Sequence, residues 1–200
     1  FTGRVHDLLC RQRKICRSES CIYWYNSTIG TNEGVTSSWA NVETTYQRRN
    51  DLITHIVATA KKYAEFEQET LIGVIEARSN ATSIKVDASE LTEENIAAYS
   101  KVHSAVSTGL GRLLATYENY SDLKANENFN ELINELSRSE NRTSVARTRY
   151  NDAVKIYNVK NKRFPGKIMA DVYGFDEAAF YKADEGAENA PDVDNLFGNN

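Results

Sequence analysis

The chain has 200 residues, a net charge of −4, 40% apolar and 26% charged residues, and three cysteines. That balance fits one globular domain able to close a single core without disulfides or metal. It gives no general case for nucleic-acid binding, and three cysteines cannot all pair within one chain.

Charge is unevenly spread. Residues 1–17 carry Arg4, Arg11, Arg13, Lys14 and Arg17 against Asp7 alone, whereas residues 171–200 carry eight carboxylates against Lys182. The end after about Ala183 reads as an acidic, solvated tail. No run of 18 apolar residues occurs, so no transmembrane helix is expected, and the basic start lacks the apolar stretch of a signal peptide. His6, Cys10, Cys16 and Cys21 lack the spacing of a structural zinc site and read as incidental in an irregular arm. That arm also lacks the clean apolar face of a membrane-surface helix.

Only Pro165 and Pro191 interrupt the chain, which leaves room for very long helices. The first expected helix starts between about residues 20 and 35 and runs to 79. Val35, Trp39, Val42, Tyr46, Arg49, Ile53, Ile56 and Ala60 mark one stripe at three- and four-residue spacing, and the pattern continues through Tyr63, Glu67, Thr70, Val74 and Ala77. Asn, Ser, Lys and Asp residues between Ser79 and Thr92 break it. Ser89 or Thr92 can cap the next helix, with Glu93 and Glu94 in its first turn.

The second tract reads Ile96, Tyr99, His103, Val106, Leu110, Leu113 and Tyr117. Gly109 and Gly111 lie within it, without a preceding strand or a third glycine, and read as close helix packing. The third tract runs from Phe129 through Leu132, Leu136, Ser139, Thr143, Ala146, Tyr150, Ala153, Tyr157 and Lys160 to Phe164. Pro165-Gly166 stops it. The apolar piece after it, Ile168 to Phe175 with Phe180 and Tyr181, is expected to fold back as a short helix or turn. The fold class is therefore all-α: an antiparallel helical bundle of three long heptad-patterned helices plus a short C-terminal helix.

Polar residues interrupt the stripes at Arg49, Glu67, His103, Ser139, Thr143 and Lys160. With three antiparallel helices, His103 falls near the level of residue 68. Glu67, His103 and Thr143 then fall in one layer, read either as a buried polar layer that fixes register or as solvated residues at the edge of the stripe. No Glu-x-x-His pair, H-E-x-x-H, G-x-S-x-G or phosphate-loop motif is present. Asp51 and His55 share a helix face without further ligands, and Glu65, Glu67 and Glu69 read as a solvated face. Asn-x-Ser/Thr triplets at Asn26, Asn80, Asn119 and Asn141 carry little weight in an Asn-rich chain.

Several runs together resemble the LemA family of bacterial, membrane-associated helical proteins. Tyr25-Asn26, Glu33-Gly34-Val35 and Trp39-Ala40-Asn41-Val42 come first. Tyr46-Gln47-Arg48-Arg49-Asn50-Asp51-Leu52-Ile53 follows the family's QRRxDLI signature. Leu110-Gly111-Arg112-Leu113-Leu114 and Glu118-Asn119-Tyr120-Ser121-Asp122-Leu123 continue the match. Glu140-Asn141-Arg142, Ala146-Arg147, Tyr150-Asn151, Tyr157-Asn158 and Phe164-Pro165 close it. The resemblance covers about residues 25–181. Thr54 stands where the family usually has proline, and His55-Ile56-Val57 and Ala60-Lys61-Lys62 also depart mildly.

The resemblance implies an all-α bundle, a single-pass N-terminal anchor in the bacterial cell membrane, no catalytic residues and no cofactor. It divides the chain into an atypical basic arm (1–24), a LemA-like bundle (25–182) and an acidic tail (183–200). The anchor is expected within residues 1–24, where Arg- and Cys-rich sequence stands instead. A shifted reading frame upstream of about Ile22, a non-anchored variant or a start artefact each accounts for that composition, and without an anchor the chain is expected to be soluble.

Two functions follow as expectations. The first is a non-enzymatic scaffold or assembly protein, with protein partners at the membrane or self-association and no nucleic acid. Arg48, Arg49, Asp51, Glu67, His103, Glu140, Asn141, Arg142, Arg147, Asn151 and Asn158 would then face partners or set register. Most of these also fit ordinary helix-surface ion pairs. The alternative is a ligand-binding or catalytic pocket between helices, lined by Tyr63, Tyr99, Tyr117, Tyr150 and Tyr157 with Glu67 and His103.

Overall fold

A computed structural model describes residues 2–62, 68–87, 91–117 and 119–182. The described residues form six helices: α1 (Thr2–Ala60), α2 (Gln68–Ser83), α3 (Glu93–Tyr117), α4 (Ser121–Lys124), α5 (Glu127–Lys162) and α6 (Gly166–Tyr173). The architecture is an all-helical bundle with a short C-terminal helix, and no strand occurs among the described residues.

The first apolar tract is shared between two helices. α1 ends at Ala60, and Lys61 and Lys62 begin a turn through amide bonds to Val57 O and Thr59 O. α2 then folds back along α1, since the Arg78 Nε donates to the Asn50 carbonyl at 2.9 Å. α3 runs parallel to α1, and α5 runs antiparallel to it, with Arg48 beside Glu135 and Lys160 beside Ser27. The long helices thus alternate in direction as α1, α2, α3 and α5. A continuous helix to residue 79 would carry Leu71 and Val74 past the end of α5. Folding back buries both against α3, where Val74 lies beside Gly109. At its other end α1 begins at Thr2, so the backbone of the basic arm is helical rather than irregular. No proline lies between residues 2 and 60 to stop it.

The interior holds two apolar clusters. One gathers Ile53, Ile56, Val74, Leu110, Leu113, Phe129 and Leu136. The other is aromatic: Trp39, Tyr46, Tyr99, Tyr150 and Tyr157 meet Val35, Val42 and Ile96. Trp39 sits at the centre, with ring centroids 5.2 Å from Tyr99 and 5.3 Å from Tyr150. Edge and tilted ring contacts of this kind add roughly 1 kcal/mol each beyond area burial.

α5 begins at Asn126, whose side chain accepts the Phe129 amide at 2.9 Å. Its end is shaped by Gly166. A Cβ there would meet the Lys160 carbonyl oxygen at 2.3 Å and Trp24 Nε1 at 3.1 Å, so only glycine lets α6 dock. Gly174, at φ 72°, ends α6 in the left-handed conformation that glycine adopts without strain. Residues 175–182 then run extended back along α5. The piece expected to be a helix or turn is thus a helix followed by a strap.

Candidate functional site

Three polar constellations occupy the bundle. The first lies between the two apolar clusters, where Arg49, Asn50, His103, Ser139 and Thr143 are all buried. His103 is wedged between Tyr46 and Tyr99, with ring centroids at 3.9 and 4.4 Å. This corrects the expected level near residue 68: because α2 folds back, α3 starts beside Trp39 and its first turns travel along α1. His103 and Thr143 lie in this buried band, Arg49 joins them from α1, and Glu67 lies outside the described residues. Burial, reinforced by the Arg49 and Arg147 cations, pushes the His103 imidazole down to about 4. The imidazole is therefore neutral at pH 7.

Arg49 reaches the surface through one contact. Its side chain is 4% exposed, and its Nη2 donates at 3.1 Å to Glu140 Oε1, a side chain 61% exposed. The Arg49 Nε and Asn50 Oδ1 have no hydrogen-bond partner among the described residues.

The second constellation clasps the strap. Asn151 donates through Nδ2 to the Tyr181 carbonyl at 2.9 Å and accepts the Tyr181 amide at 2.8 Å. Asn158 repeats this on Ala178, at 2.8 and 3.0 Å. The spacings match: seven helical residues rise about 10.5 Å, and three extended residues cover about 10 Å. The Tyr150 and Tyr157 hydroxyls donate to the Ala179 and Asp176 carbonyls. Tyr181 is buried, its hydroxyl 2.9 Å from that of Tyr46, and the Arg147 guanidinium lies 4.6 Å from the Tyr181 ring centroid. Arg147 Nε also donates to the Tyr46 hydroxyl at 2.9 Å. Burial raises the Tyr46 and Tyr99 hydroxyls well above their usual range, so both stay protonated.

The third constellation is exposed. Arg48 on α1 and Arg138 and Arg142 on α5 converge on Glu135, at 3.1, 3.2 and 3.3 Å. The three guanidinium side chains are 59%, 64% and 49% exposed. The Arg138 hydrogen bond, with the neighbouring Arg142 and Arg48 charges, holds the Glu135 carboxyl below its ordinary range. A groove of about 520 Å³ adjoins the cluster between α1 and α5. Asn41, Thr44, Asn141, Arg142 and Arg149 line it together with the half-exposed Val145, and none of its lining residues is acidic.

The QRR signature therefore divides. Adjacent helix positions point about 100° apart, so Arg48 faces water and Arg49 the interior. Asp51, Glu140, Asn141 and Arg142 lie on the surface; Arg147 and Asn151 are partly buried, and Asn158 is buried. Of the tyrosines considered for a pocket, Tyr99, Tyr150 and Tyr157 fill the core, Tyr117 stacks on Phe129, and Tyr63 lies outside the described residues. Sequence reasoning passed over Tyr181, Glu135 and Arg138. No single-residue signal singled them out, because their roles depend on the strap's path and on the seam between α1 and α5.

Among the described residues no helix is long and apolar enough to cross a membrane. Comparison with known proteins gives bacterial relatives. Magnetosome proteins MamQ 1 and MamQ 2 of Paramagnetospirillum magneticum are each 22% identical over 177 residues, covering 79% of this chain and 64% of the relative. Protein LemA of Metamycoplasma hominis is 24% identical over 185 residues, covering 92% of this chain and 72% of the relative. The chain thus spans less than two thirds of the magnetosome relatives' length. None of these relatives bears the name of an enzyme. The LemA family model matches residues 38–195, and the chain belongs to the LemA family.

Proposed function

We propose that this chain is a non-catalytic scaffold acting at a bacterial membrane, and that it engages an acidic segment of a protein partner through the arginine face of α1 and α5. One observation carries the reading: three exposed guanidiniums share the single Glu135 carboxylate, beside a groove lined by guanidinium and amide groups without an acid. In a chain of net charge −4, a local excess of arginine is out of keeping with the whole. Guanidinium pairs bind carboxylates in a planar, two-point geometry that lysine does not offer. Membrane placement follows from family resemblance.

The test uses the protein extracted from its own cells at low salt. Reversing Arg48, Arg138 and Arg142 to Glu is expected to release the chain from its complex, read as a smaller particle by size-exclusion chromatography, with the helical signal unchanged. Added salt should release the wild type in the same way, because exposed charges are screened beyond about 10 Å at 0.1 M. A reversed variant that keeps the wild-type particle size contradicts the proposal.

A further inference from the structure

Ten of the fourteen large apolar side chains exposed among the described residues come from residues 22–29 and 156–173. These segments meet at one end of the bundle, where Lys160 reaches Ser27 and Tyr25 packs on Tyr173 with centroids 5.1 Å apart. The apolar side chains are well exposed: Ile22 59%, Ile156 61%, Phe164 84% and Val172 71%.

α6 is turned inside out relative to a core-facing helix. Its small residues, Gly166 and Ala170, are buried, while Ile168, Val172 and Tyr173 face outward. Burying large apolar side chains drives folding, and this helix forgoes that at its exposed positions. Contiguous exposed apolar surface marks an interaction site.

The charges around this surface indicate what covers it. A cavity of about 880 Å³ at the same end is bounded by Trp24, Ile156, Val159 and Phe164. Its charged lining is Lys155, Lys160 and Arg163 against Asp152 alone. On and beside α6, Lys167 pairs with Asp171 and Lys162 with Glu177, so the positive excess comes from the cavity lining. Apolar side chains beside such an excess, with Trp and Tyr among them, suit a surface that is apolar below and anionic above.

We propose that this end of the bundle seats on an anionic lipid bilayer surface. Phe164, Ile168 and Val172 enter the headgroup region, and the exposed Lys155 and Arg163 meet the lipid phosphates. The inference rests on the membrane placement proposed above and gives it a surface, separate from the arginine face.

The chain carries its own reporter. Of its two tryptophans, Trp39 is fully buried in the core and Trp24 lines the cavity at the proposed seat. The full chain is mixed with vesicles of phosphatidylcholine alone, or of phosphatidylcholine with phosphatidylglycerol. Sedimentation and emission quenching by bromine-labelled acyl chains are then read. Binding is expected only with phosphatidylglycerol, with quenching confined to Trp24 and therefore lost in W24F. Phe164→Glu with Ile168→Glu, both exposed and so compatible with folding, is expected to weaken binding about tenfold or more. R48E should bind like the wild type.

If wild-type chain binds and the Phe164/Ile168 variant binds equally, this end is not the seat, while membrane placement stands. If R48E abolishes binding, the arginine face is the lipid contact and the inference is overturned. If the wild type ignores both vesicles, the seat is overturned, and membrane placement is judged separately by whether the protein sediments with membranes from the cells that make it. Lipid-independent self-association that the Phe164/Ile168 variant removes would make this end a contact between copies and overturn the lipid seat.

Discussion

Asn151 and Asn158 stand two turns apart on α5, and each closes a pair of hydrogen bonds with the backbone of one strap residue, Tyr181 and Ala178. The strap is held through its peptide groups at these points and through the buried Tyr181 side chain. Replacing Asn158 by Ala strands two backbone groups beside a buried position. The expected cost is roughly 1–3 kcal/mol, seen as a lower urea midpoint with an unchanged slope. Limited proteolysis should then cut near residues 175–182 first. Asn151→Ala should act in the same direction, and the double variant should fall short of the sum, because both hold one segment.

Arg49 and Glu140 differ in burial, so removing each has a different consequence. Glu140→Ala leaves a buried guanidinium without the carboxylate that reaches it. Arg49→Met removes the buried charge and keeps an unbranched apolar chain. The first should destabilise by about 1–2 kcal/mol, discounted from a fully buried pair because Glu140 is exposed. The second should cost less. Chemical denaturation of the two variants checks the order, and a larger loss for Arg49→Met contradicts it.

His103 ties stability to pH. Its pKa is about 4 in the folded chain, below the ordinary 6.5. The unfolded chain therefore binds more protons between those values, and folding stability rises with pH across that window. The contribution is complete above about pH 6.5, is lost as pH falls towards 4, and amounts to at most on the order of 3 kcal/mol. Denaturant unfolding at steps from pH 7 to pH 4 should show the fall, and His103→Gln should flatten it. An unchanged slope in that variant would assign the pH dependence to other groups.

Gly166→Ala should loosen α6 from the end of α5, since its Cβ would sit 2.3 Å from a backbone oxygen that belongs to a helix. Overpacking of this kind costs roughly 1–3 kcal/mol, or a melting temperature lower by about 2–4 °C per kcal/mol in a chain this size. Thermal melting followed by circular dichroism reads it directly.

Much of the bundle is legible in the sequence because proline is nearly absent and the stripes of α3 and α5 are regular. The turn after Ala60 is not. The stripe runs on through Tyr63, Glu67 and Thr70 without a glycine or proline to mark a break, and only burial against α3 decides it. The level of His103 was misplaced for the same reason, since it was counted from a helix that does not continue. The strap was hidden for another: its partners read its backbone, and a backbone leaves no mark in a sequence. The signature arginines were visible, but which of Arg48 and Arg49 faces outward is set by the phase of α1 against α5.

The proposed partner would sit on the arginine face of α1 and α5. The most direct measurement places a photo-cross-linking amino acid at Asn141, in the groove beside Arg142, and compares it with the exposed Lys101 on α3 in the cells that make the protein. One discrete protein adduct is expected from position 141 and none from position 101, with the adduct lost when Arg48, Arg138 and Arg142 are reversed to Glu. An adduct pattern that is the same from both positions, or one that survives the charge reversal, would contradict that placement.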